Sequence, residues 1–303
     1  MTATTARVAT TGPGSIRFLL NPASGRGTGR ASLDRLRVLA AKLGAGLCVS
    51  RRVEDLAEQA RRAAADGVER LLVAGGDGTM HHAVQGLAGT ACALGVIPLG
   101  SGNDLAGTLG IPPDLDAAVE RAARGEIRRV DLLRVGATFC VSYAGVGFDS
   151  EVTRYANETK ILRGPLIYFY AVIHTLITFS PPRMRVVWDG GEFEGRVMFA
   201  VVNNLPRFGG GMRIAPDARI DDGLLDLVIV REVPKPVLLS IFPKVYNGRH
   251  VSHPAVRIVR TPRAEITIDR TMTMYGGGEP LRTVEAGEPA VVEVVPGGLG
   301  IVG

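Results

Sequence analysis

Cysteine is scarce in this chain of 303 residues: Cys48, Cys92 and Cys140 each stand alone in apolar surroundings, and no C-x-x-C pair occurs. That argues against a disulfide framework or a thiolate metal finger, and the three thiols read as reduced, buried hydrophobes of a cytoplasmic protein. Aromatic residues make up 5% of the chain and nowhere interleave with a long basic stripe, so nucleic acid is not an expected partner. The net charge of +5 is modest, arginine greatly outnumbers lysine, and pairs such as Arg51-Arg52, Arg61-Arg62 and Arg128-Arg129 read as solvated faces or strand flanks. A comfortable bilayer span is missing as well. The most apolar stretch, 161–179 (ILRGPLIYFYAVIHTLITF), is interrupted by Arg163, Gly164, Pro165 and His174, which makes a buried or lipid-facing helix the expectation there. Residues 1–14 lack an apolar core and read as a disordered lead, not a signal peptide.

Glycine, by contrast, is abundant, at 39 residues, and three glycine-bearing turns recur at strand ends. They are Asn21-Pro22-Ala23-Ser24-Gly25, then Gly75-Gly76-Asp77-Gly78-Thr79, then Leu99-Gly100-Ser101-Gly102-Asn103-Asp104. The apolar runs 16–20, 47–49, 70–74 and 93–97 alternate with helical patterns at 29–43, 53–66 and 79–88. Such alternation predicts βαβ units: an α/β N-terminal domain with a parallel sheet and helices on both faces. Ligands on these sheets sit at the carboxyl ends of the strands, where all three turns fall.

Beyond about residue 126 the pattern changes. The runs 130–135 and 138–145 precede a helical interlude at 149–179, and then strand-like runs follow one another (MRVVWD, FEGRVMFAVVNN, LLDLVIVRE, AVRIVR, AEITID, VVEVV), broken by a helix at 235–245. This predicts a mainly antiparallel β-sandwich C-terminal domain with attached helices. The expected division is a nucleotide-binding unit at 15–126 and a β-rich acceptor-binding unit at 127–303, with the last strand free to return to the first unit.

Paired glycines leave room for a phosphate beside backbone N–H groups at the positive end of a helix. In the GGDGT turn Asp77 can hold a metal ion or a hydroxyl, and Thr79 opens the next helix as a hydrogen-bonding cap. The plainer alternative is a tight strand-to-helix turn with a capping Asp, since short glycine motifs recur by chance. Three such turns on one sheet point to a nucleotide site and phosphoryl transfer.

Together these residues resemble the catalytic domain of soluble bacterial diacylglycerol kinases, relatives of sphingosine and ceramide kinases. The matching pieces are NPASGRG (21–27), GGDGT (75–79), PLGSGNDLA (98–106), GVGFDSEV (145–152), FGGGMRIAPDARIDDGLLDL (208–227) and GRHVSHPAV (248–256). The resemblance implies ATP contacts from Asn21, Pro22, Ala23, Ser24, Gly25, Ser50, Gly75, Gly76, Asp77, Gly78, Thr79, Met80, His81 and Ser101. It implies a magnesium site at Asp222 with the carbonyls of Arg219 and Leu224, joined through water by Asp104 and Asp131. A simple Asp-Gly turn is the alternative at Asp222. The family's D-G-E tripeptide, whose Glu accepts the lipid hydroxyl's proton, matches Gly277-Gly278-Glu279, with Ala286-Gly287-Glu288 as a second register. Glu279 is thus the expected base and Asp77 the fallback.

Two positions depart from the family: Gly277 stands where Asp is expected and His82 where Glu is usual. They leave open a nucleotide-binding member without turnover, or a kinase for a soluble alcohol, beside the lipid kinase. A lipid acceptor drawn from a membrane surface is the implied partner, with aromatics around Tyr168, Phe169, Tyr170 and Phe179 lining an acyl channel or touching the bilayer, and Lys160 and Arg163 at one end. A homodimer through an edge strand is compatible with the pattern.

Overall fold

The computed structural model describes residues 16–158 and 165–303, and side chains at 16–155 and 170–303. The expected lead at 1–14, Lys160 and Arg163, and the side chains of Tyr168 and Phe169 lie outside the described residues. Strands β1 (Ile16–Leu20), β2 (Gly46–Val49), β3 (Arg70–Gly75) and β4 (Ala93–Pro98) form a parallel sheet in the order β2-β1-β3-β4. In β3 the successive residues Leu72 and Val73 are both fully buried. Their side chains point to opposite faces, so both faces of the sheet are covered.

The cover comes from α1 (Thr28–Ala31), α2 (Leu33–Lys42), α3 (Asp55–Ala65), α4 (Asp77–Leu87), α5 (Asp104–Thr108) and α6 (Leu115–Arg124). The expected helix 29–43 is two helices parted at Ser32, and the one expected from 79 starts at Asp77, because Gly76 is still extended. Helix α6 did not figure in the sequence reading. It buries Ala118, Val119, Ala122 and Ala123, and the Asp114 carboxylate accepts the Ala117 N–H at 2.9 Å as its N-cap.

The second half comprises β5 (Ile127–Val135), β6 (Thr138–Cys140), β7 (Tyr143–Gly147), α7 (Phe148–Glu158), α8 (Pro165–Thr178), β8 (Arg183–Trp188), β9 (Gly191–Asn203), β10 (Leu225–Arg231), α9 (Lys235–Ile241), β11 (Val256–Thr261), β12 (Arg263–Ile268), β13 (Met272–Gly276), β14 (Glu279–Val284) and β15 (Pro289–Val302). Pairing among these strands is antiparallel. Along β9 and β10 the alternation sorts residues into two cores. Ala200, Val202, Leu227 and Ile229 enter the sandwich interior, while Val201, Val228 and Val230 pack beneath α7, α8 and α9; Met198 joins them across the bulge at which the register of β9 against β10 shifts. Two buried faces explain why these strands read as unbroken apolar runs.

The C-terminal strand β15 ends beside β4, parallel, with Ile301 opposite Leu94 and Val302 opposite Gly95. It thereby ties the antiparallel half to the edge of the parallel sheet. Among the described residues no helix is long and apolar enough to cross a membrane.

Candidate active site

The three glycine turns meet at the carboxyl edge of β1, β3 and β4, so closely that side chains are excluded. A Cβ on Gly25 would lie 1.9 Å from the Leu99 carbonyl oxygen, and one on Gly100 would lie 2.6 Å from the Gly76 Cα. Asn21 spans two of the turns: its Nδ2 donates to Thr79 Oγ1 at 3.0 Å and its Oδ1 accepts the Ala23 N–H at 3.0 Å. Asn103 closes the third turn on itself, exchanging hydrogen bonds with the N–H and carbonyl of Gly100. Asp77 does not point into open space. Its carboxylate takes the Asp104 N–H at 2.9 Å, and burial and the neighbouring Asp104 charge push its pKa up.

The other expected nucleotide positions divide by environment. Ser50 follows β2, and its hydroxyl is buried with no partner among the described residues. Ser101 is exposed, and Pro22 and Ala23 edge an open groove of about 540 Å³ flanked by Arg26 and Arg30. Met80, however, packs into the core at 3% exposure, so its side chain is no ligand; the neighbouring main chain alone is on offer. His81 faces the second half of the molecule. Its Nδ1 is buried without a partner among the described residues, and burial holds its pKa down at about 4, so the ring is neutral at physiological pH.

Glu279 reaches the first turn of α4 from the β13–β14 hairpin. That hairpin turns through Gly277 (φ 61°) and Gly278 (φ 86°), with Gly276 paired to Glu279. Positive φ at both central residues is the geometry in which Asn, Asp and Gly are preferred, so Gly277 keeps the turn that an Asp would make. A Cβ on Gly78 would lie 2.7 Å from Glu279 Oε1, which places this carboxylate against the GGDGT turn at the positive end of α4.

Of the expected metal ligands, Asp131 and Asp222 meet on the loop that follows Ile220, whose carbonyl takes the Asp131 N–H at 2.7 Å, and each acid is engaged by backbone N–H groups or an arginine. Asp104 accepts the Gly210 and Gly211 N–H groups, whereas Asp131 accepts those of Gly223 and Gly297 at 2.7 Å each. Asp222 gives one oxygen to the Leu224 N–H and the other to an ion pair with Arg260. Among the described residues no group of three or more His, Cys, Asp or Glu is placed to hold a metal. With its free oxygen already on a guanidinium, Asp222 does not fit direct coordination with the Arg219 and Leu224 carbonyls, and no step below passes through such a site. Replacing Arg260 with Ala should uncover it. The melting temperature of the wild type is expected to be the same in EDTA and in millimolar magnesium, and that of Arg260→Ala to rise with magnesium, read by scanning fluorimetry.

Comparison with known proteins fixes the family. Residues 15–135 match the diacylglycerol kinase catalytic domain, and residues 142–303 match the YegS C-terminal NAD kinase beta sandwich-like domain. The diacylglycerol kinase of Mycobacterium tuberculosis (strain ATCC 25618 / H37Rv) is 32% identical over 297 residues, covering 93% of this chain and 95% of that one. The chain belongs to the diacylglycerol kinase family. A diacylglycerol kinase of Bacillus subtilis (strain 168) is 29% identical over 271 residues, covering 87% and 89% of the two chains. The crystal structure of a diacylglycerol kinase from Bacillus anthracis str. Sterne shares the fold, with a TM-score of 0.76, 21% identity and coverage of 95% and 96%. As a member of the diacylglycerol kinase family this protein is a phosphotransferase with an alcohol acceptor.

Two features of the kinase escaped the sequence reading. Arg260 meets Asp222 because β10 and β11 pair with Asp226 opposite Arg260, a register that no local pattern announces. Asp149, at the start of α7, is the other. Its Oδ1 is buried without a partner among the described residues, and burial raises its pKa to about 7, against the N–H groups of Ser150 and Asp149 itself. Because the folded pKa lies above the ordinary value of 3.8, the folded chain holds this proton more tightly. Asp149 therefore costs stability progressively as pH rises from about 4 to about 7. Asp149→Asn should flatten that part of the pH–stability curve and melt higher than the wild type at pH 8.

Proposed function

We propose that this kinase transfers the γ-phosphate of ATP, brought as its magnesium complex, to the hydroxyl of a diacylglycerol-like lipid. The observation that carries the reading is the approach of Glu279 to Gly78, a carboxylate from one half of the molecule standing at the glycine turn of the other. The three turns offer backbone donors and clearance for a phosphate chain, with Asn21, Ser24, Gly25, Ser50, Gly75, Gly76, Gly78, Thr79 and Ser101 around it. Arg26 and Arg30 border the same groove and have no carboxylate partner among the described residues. Their charge suits the triphosphate.

An alcohol is a weak nucleophile at neutral pH. Glu279 takes its proton as the bond to phosphorus forms and the γ-phosphorus parts from the bridging oxygen of the departing ADP, while the turns neutralise charge on the phosphoryl oxygens. Asp77 is engaged with the N–H groups that open α5 and is assigned the holding of the third turn, not proton transfer. The names of the relatives in M. tuberculosis and B. subtilis support a diacylglycerol acceptor.

The test is transfer of labelled γ-phosphate from ATP to dioleoylglycerol in mixed micelles, with glycerol as the soluble comparison. Label in the lipid extract supports the reading, and label only in glycerol defeats it. A chain that binds ATP but yields no product would favour the reading without turnover that Gly277 and His82 raise; Gly277→Asp with His82→Glu should then restore transfer.

A further inference from the structure

Between Glu232 and Glu265 the chain carries no acidic residue and six cations: Lys235, Lys244, Arg249, Arg257, Arg260 and Arg263. Three of them are engaged. Arg257 lies 4.6 Å over the Trp188 ring, Arg260 pairs with Asp222, and Arg263 pairs with Glu265. The other three occupy a helical cap made of α9 and the tight turns at Phe242–Asn247 and Arg249–Ser252. Lys235 Nζ donates to the Ile177 carbonyl at 2.6 Å, joining the cap to the end of α8. Lys244 and Arg249 are exposed and have no carboxylate partner among the described residues. Elsewhere exposed arginines pair readily, as in Arg35–Asp116, Arg134–Glu293 and Arg185–Glu192.

The cap is also apolar on both sides. Its inner face buries Leu238, Ile241 and Val245, yet Leu239 and Tyr246 point outward at 49% and 53% exposure, beside Ile177 at 68%. A helix that only roofs a core presents polar residues to water. Large apolar side chains flanked by unpaired cations, without a single acid, form the pattern that settles at the headgroup boundary of an anionic bilayer.

The cap is built onto the site. The Val245 carbonyl accepts the Arg213 N–H at 3.0 Å, and His250, 2% exposed, holds the Ile214 carbonyl through Nε2 at 3.0 Å. The same loop sends the Gly210 and Gly211 N–H groups to Asp104, whose own N–H is held by Asp77. Its Phe208 stacks on Tyr143 at 3.9 Å.

We infer that the cap at 235–252, together with Ile177, is the surface on which this kinase docks to an anionic lipid bilayer. The inference rests on the lipid acceptor proposed above, and it adds where the enzyme meets the membrane. Charge complementarity selects an anionic lipid surface over a second copy of the chain, since two such faces would repel.

Flotation of the full chain with vesicles of phosphatidylcholine and phosphatidylglycerol (70:30) tests it. The wild type is expected to float with these vesicles, to stay below with phosphatidylcholine alone, and to release in 0.5 M NaCl. Lys244→Glu with Arg249→Glu should weaken binding about fivefold for each charge removed, or more. Leu239→Ser with Tyr246→Ser should weaken it as well. Arg37→Glu with Arg61→Glu on α2 and α3, a change of equal charge, should not. The cap variants should keep the wild-type melting temperature and the wild-type rate on micellar dihexanoylglycerol. A wild type that stays below, cap variants that float as well as it does, or a dimer that the cap variants dissolve would each overturn the inference. Flotation needs no turnover, so a chain that floats without transferring phosphate defeats the lipid-kinase reading and leaves the docking surface standing.

Discussion

Glu279→Gln is expected to lower kcat for phosphate transfer by about 10²–10⁴-fold, the usual worth of a positioned general base, with KM for ATP and melting temperature little changed. The amide has the shape of the carboxylate and can keep its place against Gly78, but it cannot take a proton. Gly78→Ala reaches the same end by another route. The new methyl would stand 2.7 Å from Oε1, and a half-exposed glutamate at a hairpin tip yields more readily than the first turn of α4. The base is displaced while the nucleotide turn stays intact, so kcat should fall and ATP binding persist. Measuring kcat and KM separately checks both variants. A Glu279→Gln enzyme of unchanged rate would remove the base assignment outright, and Asp77 would be a poor replacement because its oxygens already serve the N–H groups of the third turn.

How much of this was legible in the sequence depended on whether the signal was local. The glycine turns, the apolar runs before them and the change from helix-separated to consecutive strands are local, and these appeared where they were expected, although the helix at 29–43 and the run at 138–145 each proved to be two elements. Hairpin β13–β14 was not read as a pair of strands, because Gly276, Gly277, Gly278 and Pro280 dilute the alternation that marks a strand. Its glycines are there for the turn. Helix α6 went unread although its alanines recur at helical spacing, since alanine gives an apolar stripe little contrast. The side to which a site residue faces was the least legible feature of all. Met80 belongs to the GGDGT segment yet points into the core, because its place on α4 matches the buried stripe of Val84 and Leu87. His81, one residue on, turns instead toward Ser142 and Gly277. The pairing of Asp222 with Arg260 spans 38 positions and exists only through strand register.

Gly25→Ala should abolish detectable ATP binding and lower stability by roughly 1–3 kcal/mol, the cost of a non-glycine residue held in the sparsely populated left-handed region. Two separate physical demands meet at this residue. Its φ of 61° lies in the left-handed region, and its missing Cβ would stand 1.9 Å from the Leu99 carbonyl oxygen, a backbone atom that no rotamer change can move. The first turn must therefore withdraw from the third, opening the cradle between them. Gly27→Ala separates the demands, because φ there is 110° and no atom lies within 4 Å of the added carbon. It should cost stability through the backbone alone and bind ATP. Gly46→Ala, with neither a positive φ nor a neighbour within 4 Å, should change neither. Equilibrium binding of labelled ATP and thermal unfolding of the three variants give a graded series: both properties lost, one lost, none lost. If Gly25→Ala bound ATP as tightly as the wild type, close packing of the turns could not be what shapes the nucleotide site, and the phosphates would have to lie elsewhere in the cleft.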